Sequence, residues 1–143
     1  MASLVCNYHA GTIAKERVRR LGAELSRVYR EHLGRDHAVR VLWCELPEGQ
    51  AFTAGRASDV TYLLVEAADG LDGAQREAAL RALAAELAAG AQIPIERVMV
   101  TLADRSVFAR FLAAYRDRVR PRSRPWFWAT TLFGLVRSRR RDG

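Results

Sequence analysis

The sequence predicts an α/β fold in which two tandem β-α-β units form a four-stranded mixed sheet, with two helices on one face. Three observations support this prediction: apolar strand-like segments alternate with amphipathic helix-like segments, glycines mark the turns, and the pattern repeats. A single constant shift of the sequence places Gly11 on Gly70 and residues 39–41 on residues 98–100. Because turn and strand agree at one offset, we interpret the chain as an internal duplication.

The first unit is predicted to span residues 2–58. Residues 2–9 have the composition of a strand, and a helix is expected from Thr12 to Leu33, with Thr12 as its cap and Gly34 at its end. The apolar positions of this helix follow a spacing of three and four residues: Val18, Leu21, Leu25 and Val28. A second strand is expected over residues 38–45, followed by a loop rich in proline and glycine.

The second unit is predicted to span residues 59–114. It contains a β-rich run at 60–66, a turn at Gly70, an alanine-rich helix over 72–89 and a strand over 97–102. Right-handed crossovers place both helices on the same side of the sheet. The other sheet face is then bare, and its apolar side chains lead us to expect that the chain oligomerises through this face.

The charge is concentrated after the predicted domain. The formal net charge is +7, and residues 115–143 hold nine arginines and two aspartates, which leaves residues 1–114 with 14 basic and 14 acidic side chains. The body therefore lacks the basic character of a nucleic-acid surface. The Arg-rich, Trp-containing arm at 115–143 has two favoured interpretations: it packs on a neighbouring subunit, or it docks on an anionic membrane or an acidic partner. Nucleic-acid binding is disfavoured, since no RNA-binding motif is present.

Cysteine usage and hydropathy indicate a cytoplasmic protein. Cys6 and Cys44 lie in apolar runs without a C-x-x-C pairing, so we expect two reduced core thiols. The longest apolar run near the end, residues 126–136, is well short of the about 20 residues that a membrane helix needs. The three histidines lack metal-ligand spacing, so neither a metal nor another cofactor is expected.

The order of these motifs resembles the tautomerase superfamily. In the 4-oxalocrotonate tautomerase pattern, an apolar-Arg-apolar strand precedes an acidic residue, a glycine-containing loop and a pocket phenylalanine, and residues 39–52 (VRVLWCELPEGQAF) are similar to it. The fused length and the segments at 93–97 and 110–112 look most like the cis-3-chloroacrylic acid dehalogenase group. The resemblance covers roughly residues 2–112.

The resemblance implies a catalytic amine at the start of the first strand. Family members expose an amino-terminal proline by removal of the initiator methionine, whereas this chain has Ala2 at that position. Alanine permits removal of Met1, and a free α-amine has an ordinary pKa of about 7.7–8.0, close to the range needed for proton transfer. The single lysine of the sequence, Lys15, carries its one side-chain amine. The resemblance also gives Arg40 the role of binding a substrate carboxylate, and Phe52 the role of an apolar pocket wall.

Other family positions carry different residues here. Thr12 stands where the family has an arginine, Tyr29 lies near the dehalogenase group's helix histidine, and Thr101 lies near its strand tyrosine. Two arginines of that group fall on Ala68 and Leu71, so hydrolytic dehalogenation is disfavoured. The predicted catalytic residues are Ala2, Arg40 and Tyr29, and the predicted substrate-binding residues are Phe52, Thr12 and Thr101.

Two functions are consistent with these patterns. One is a homotrimeric isomerase that moves a proton in a small carbonyl or enol acid, by keto-enol isomerisation or related lyase chemistry. The alternative is a catalytically degenerate scaffold or binding protein with the same fold. The feature that separates them is whether Ala2 carries a free amine facing Arg40.

Overall fold

A four-stranded mixed sheet carries both long helices on one of its faces. The computed structural model describes residues 1–35 and 37–110. In chain order the elements are β1 (Ala2–His9), α1 (Lys15–Leu33), β2 (Val39–Leu46), β3 (Phe52–Thr53), β4 (Arg56–Ala57), β5 (Thr61–Ala67), α2 (Gly73–Ala91), a one-turn 3₁₀ helix (Ile95–Arg97) and β6 (Val98–Asp104). The sheet order is β2-β1-β5-β6, and β3 and β4 form a separate short hairpin.

The strand directions confirm the predicted fold class. β1 is parallel to β2 and β5 is parallel to β6, while β1 and β5 run antiparallel at the centre. In the central pair, Val5 lies opposite Leu64, its equivalent in the second unit. In the helix layer Arg27 binds Glu86 at 3.0 Å, and these two positions are also equivalent in the repeat. The two β-α-β units are therefore related by an approximate two-fold axis through the middle of the sheet and of the helix pair.

The core lies between the helices and one face of the sheet. Alternate residues of the two central strands are fully buried against apolar side chains that recur every three or four residues on the helices. Both spacings follow from geometry, because side chains of a strand alternate between faces whereas a helix turns once in 3.6 residues. The buried set includes Leu4, Cys6, Leu63 and Val65 from the strands, and Leu21, Leu25, Leu83 and Leu87 from the helices.

The opposite sheet face, which we call the open face, is uncovered by either helix. It is formed by the other set of alternating residues, and two of its large apolar side chains are exposed: Leu42 by 41% and Met99 by 56%. The bare sheet face expected from the sequence is thus present. Cys44 also lies on this face and is exposed, so the prediction of two core thiols is wrong for Cys44 and correct for Cys6. The apolar run around Cys44 belongs to an edge strand with one covered face, which explains the difference.

Element boundaries differ from the predictions by one to three residues at several places, of which three follow. α1 begins at Lys15 and not at Thr12, because Gly11 (φ +80°) and Thr12 form a turn in which the Thr12 N–H donates to the His9 carbonyl. α2 ends at Ala91, two residues later than predicted. The short hairpin β3–β4 lies inside the predicted loop.

The described residues reach beyond β6 into residues 105–110, which are helical. The predicted arm at 115–143 lies outside the described residues. Within the part of the chain that is described, no helix combines the length and the apolar character needed to cross a bilayer.

We predict that Gly90→Ala lowers the free energy of unfolding by about 1–2 kcal/mol, because the added Cβ would overlap Cδ1 of the buried Leu21 on α1. The overlap outweighs the better helix propensity of alanine. Gly73→Ala is the matched control, since a Cβ at Gly73 meets no atom within 4 Å and should leave stability unchanged or raise it. Urea unfolding measures both; equal behaviour of the two variants would contradict this account of the helix contact.

Candidate active site

A row of polar side chains crosses the open face at the end of the sheet where β1 begins. Arg40 on β2 lies opposite Ser3 on β1, and its Nη2 donates to Ser3 Oγ at 3.2 Å. Ser3 is buried. β1 and β5 are antiparallel, and Leu4 pairs with Val65. The same register, continued by one residue, places Glu66 opposite Ser3. We call Arg40, Ser3, Glu66 and the Arg105 side chain that binds Glu66 the polar row.

The Glu66–Arg105 ion pair closes the row on the β6 side. Arg105 Nε donates to Glu66 Oε1 at 2.9 Å, and the Glu66 side chain is only 10% exposed. Arg105 Nη2 is buried, and none of the other described residues provides it with a hydrogen-bond partner. The Ser106 N–H donates to Asp69 Oδ1 at 3.1 Å and so fixes the start of the helical residues that carry Arg105. Because a buried carboxylate is costly without a counterion, Arg105 is what allows Glu66 to be charged at this position.

Residue 2 begins the strand beside this row. Ala2 is fully buried, with its side chain on the helix face, and its N–H donates to the Ala38 carbonyl at 2.8 Å. Met1 precedes it and is exposed. Residue 2 thus directly precedes Ser3 in β1. It is also hydrogen-bonded to Ala38, which lies two residues before Arg40.

Tyr29 approaches the row from the helix side. It is fully buried, and its hydroxyl donates to the Glu66 carbonyl at 3.0 Å. Burial raises the pKa of the Tyr29 phenol, Arg105 lowers it in part, and Glu66 raises it further. Tyr29 therefore supports the backbone that carries Glu66 and remains a neutral hydroxyl.

The three predicted substrate-binding residues lie apart from the polar row within the chain. Thr12 is in the turn after β1, at the opposite end of that strand from Ser3. Phe52 is 65% exposed on the β3–β4 hairpin. Thr101 is half-buried on β6, paired with Leu64 in the middle of the sheet.

Sequence reasoning missed three members of the row. Ser3 could have been found from strand alternation, because it faces away from the buried Leu4. Glu66 was signalled by an acidic residue at the end of an apolar strand. Arg105 gave no such signal, since it lies beyond the predicted end of the fourth strand at residue 102.

The charges of the row define what it can bind. Glu66 is neutralised by Arg105, whereas Arg40 has no carboxylate within 4 Å among residues 1–35 and 37–110. A guanidinium in this state is suited to a carboxylate, which it binds through two parallel hydrogen bonds. The same described residues contain no group of three His, Cys, Asp or Glu side chains arranged to hold a metal ion.

The fold defines the class of protein: the chain has the tautomerase-superfamily fold, because solved tautomerase-superfamily structures match it. The tautomerase-superfamily resemblance found in the sequence is confirmed at the level of the fold. No protein-family model and no curated protein matches the chain.

Three solved structures show the extent of the similarity. A structure of Pt0534 inactivated by 2-oxo-3-pentynoate is 26% identical, with a TM-score of 0.64 over 71% of this chain and 84% of that chain. The F6 fused 4-OT asymmetric trimer is 24% identical, with a TM-score of 0.66 over 71% and 85%. N1, a member of the cis-3-chloroacrylic acid dehalogenase family, is 22% identical, with a TM-score of 0.64 over 71% and 73%. The F6 fused 4-OT trimer and N1 have only the fold in common with this chain.

We predict that Tyr29→Phe lowers the free energy of unfolding by about 1 kcal/mol, because the Glu66 carbonyl loses a buried hydrogen-bond donor. Tyr62→Phe is the matched control, since Tyr62 is half-buried on the open face and no hydrogen bond of its hydroxyl is observed within the described residues. Chemical denaturation at neutral pH compares the two variants. An equal loss in both would show that the Tyr29 hydroxyl bond does not support β5.

Proposed function

We propose that the chain is an isomerase that moves a proton between carbon and oxygen of a small carbonyl or enol acid. In this proposal the amine of Ala2, freed by removal of Met1, is the acid-base group, and Arg40 binds the carboxylate. The supporting observation is the Arg40–Ser3 contact, which holds a guanidinium without a carboxylate partner in the described chain beside residue 2. Related lyase chemistry would use the same two groups.

The proposed reaction requires one group that accepts and returns a proton. The neutral amine takes the hydroxyl proton of the enol, the O–H electrons form the carbonyl double bond, and the electron pair of the C=C bond takes a proton from the resulting ammonium at carbon. An α-amine suits both steps because its ordinary pKa of about 7.7–8.0 lies close to neutral pH. Arg40 binds the adjacent carboxylate and stabilises negative charge that develops on the enolate.

The comparison with Pt0534 supports this class of substrate. That protein is inactivated by 2-oxo-3-pentynoate, a 2-oxo acid with a conjugated alkyne. Such a compound adds to a nucleophile such as an amine or a thiol. With an amine, conjugate addition forms a bond from nitrogen to the alkyne carbon while the ammonium proton moves to the neighbouring carbon. The whole reagent is retained on the protein.

A binding or scaffold protein is the second candidate, and the placement of Ala2 favours it. The Ala2 N–H is used in the bond to the Ala38 carbonyl, and the residue is fully buried. With Met1 retained, no amine would be present at residue 2.

We predict that Arg40→Ala lowers kcat/KM for ketonisation of phenylenolpyruvate by about 10²-fold, the usual loss for one preorganised charge donor. Stopped-flow or steady-state absorbance measures the rate. Arg19→Ala is the control, because Arg19 is exposed on α1 in the helix layer. An equal rate in the wild type and Arg40→Ala would favour the scaffold.

Mass spectrometry of the same proteins tests the state of the amino terminus. Intact mass and peptide mapping before and after 2-oxo-3-pentynoate are expected to show loss of Met1 and the gain of one whole reagent molecule on Ala2 rather than on the exposed Cys44, with slower labelling in Arg40→Ala. Retained Met1 and an unlabelled terminus would exclude the amine mechanism.

We also propose a homotrimer that covers the open face. The exposed Leu42 and Met99 would be buried by a neighbouring copy, and solved fused 4-OT structures with this fold are trimers. In a trimer the exposed Phe52 hairpin could reach a neighbour's polar row, and Thr12 and Thr101 could complete a substrate site formed by two subunits. In this arrangement the predicted substrate-binding residues would contribute to a site although they lie apart from the polar row of their own chain.

We predict that Leu42→Asp converts the trimer to monomers, because an unpaired carboxylate would be buried in the interface. Light scattering measures the mass, for which the monomer value is 16.0 kDa. Gln75→Asp is the control: it adds the same charge at an exposed position of α2. A wild-type protein that scatters as a monomer would disprove the proposed assembly.

A further inference from the structure

We infer that Glu66 makes the polar row selective for monocarboxylates by rejecting a second carboxylate on the same substrate. This inference rests on the proposed function, since it assumes that a substrate carboxylate binds Arg40. It concerns two residues, Glu66 and Arg105, for which the sequence predicted no role.

The positions of the two arginines suggest room for two anions. Arg40 binds Ser3 at one end of the row, and Arg105 binds Glu66 at the other end. Neighbouring strands lie about 4.8 Å apart, so the backbone positions of Arg40 and Glu66 are separated by about 10 Å across β1. A short acid held by Arg40 would therefore extend its far end toward Glu66.

The charges of the row remove one of the two anion sites. Glu66 Oε1 accepts from Arg105 Nε at 2.9 Å, and the carboxylate is largely buried. Arg105 is thereby committed to a group of this chain. A second substrate carboxylate would meet the negative charge of Glu66, while the positive charge of Arg105 that could balance it is already compensated by Glu66.

The exposure of Arg105 shows what the ion pair withholds. The Arg105 side chain is 42% exposed, although its Nη2 is buried and has no hydrogen-bond partner among residues 1–35 and 37–110. Without the charge of Glu66, the charge of Arg105 would be uncompensated, and the row would hold two cationic sites. Glu66 is thus a specificity-determining residue of the proposed site.

The test compares two ligands of equal carbon number, 2-oxopentanoate and 2-oxoglutarate, which differ by one terminal carboxylate. Isothermal titration of the full-length wild type is expected to give at least about tenfold tighter binding of 2-oxopentanoate. Glu66→Gln should tighten 2-oxoglutarate by about tenfold and change 2-oxopentanoate by less than about threefold. Glu45→Gln is the control, since it removes an exposed carboxylate from the far end of β2 and should change neither affinity.

Arg105→Gln provides a second variant with the opposite effect. It leaves Glu66 without its counterion and should weaken 2-oxoglutarate further, so the inference does not depend on the folding of Glu66→Gln. Equal affinity of the wild type for both ligands would overturn it, as would an affinity ratio that neither Glu66→Gln nor Arg105→Gln changes.

Arg40→Ala separates this inference from the proposed function. If Arg40→Ala weakens 2-oxopentanoate while the Glu66 and Arg105 variants leave the ligand ratio unchanged, the selectivity inference alone is wrong. If wild-type protein binds neither acid, or if Arg40→Ala binds 2-oxopentanoate as well as the wild type does, the proposed function is wrong and the selectivity inference fails with it.

Discussion

The antiparallel pairing of β1 with β5 is the contact on which the rest of the structure depends. Each β-α-β unit contributes one parallel strand pair, and this central pairing joins the two pairs into one sheet. It also determines which face of the sheet is buried. Because Val5 lies opposite Leu64, the buried alternate residues of both strands fall on the same face. Both helices then share a single core, and the opposite face stays open.

The polar row follows from the same register. Ser3 lies opposite Arg40 in one direction and opposite Glu66 in the other because β1 is paired on both sides. A slip of one residue would turn Ser3 into the core and expose Leu4, so the apolar packing that stabilises the fold also positions the site. Tyr29 adds a contact from the covered side, since its hydroxyl bonds to the Glu66 backbone. The site therefore depends on the core as well as on the open face.

The sequence was informative where a pattern extends over many residues and poorly informative where a single contact decides. Strand alternation, helical spacing and the constant offset of the repeat were sufficient for the order of elements and for the bare face. The start of α1 was misplaced because Thr12 has the chemistry of a cap, whereas the turn at Gly11 uses its backbone N–H instead. Cys44 was placed in the core because an apolar run does not reveal that its strand lies at an edge. Of the polar row, the sequence singled out Arg40 alone, because side-chain contacts between distant elements, such as that of Arg105 with Glu66, have no local signature.

The duplication makes the asymmetry of the open face informative. The repeat relates Arg40 to Met99, Ser3 to Tyr62, and Glu66 to Asn7. In the sheet, Tyr62 pairs with Asn7 on one side and with Met99 on the other, so the two-fold axis relates the charged row to a second, uncharged row. Since the backbone geometry is the same at both ends, the difference lies in the side chains alone. One end of the duplicated sheet presents a guanidinium to solvent, and the other presents an exposed methionine suited to apolar contact with another chain.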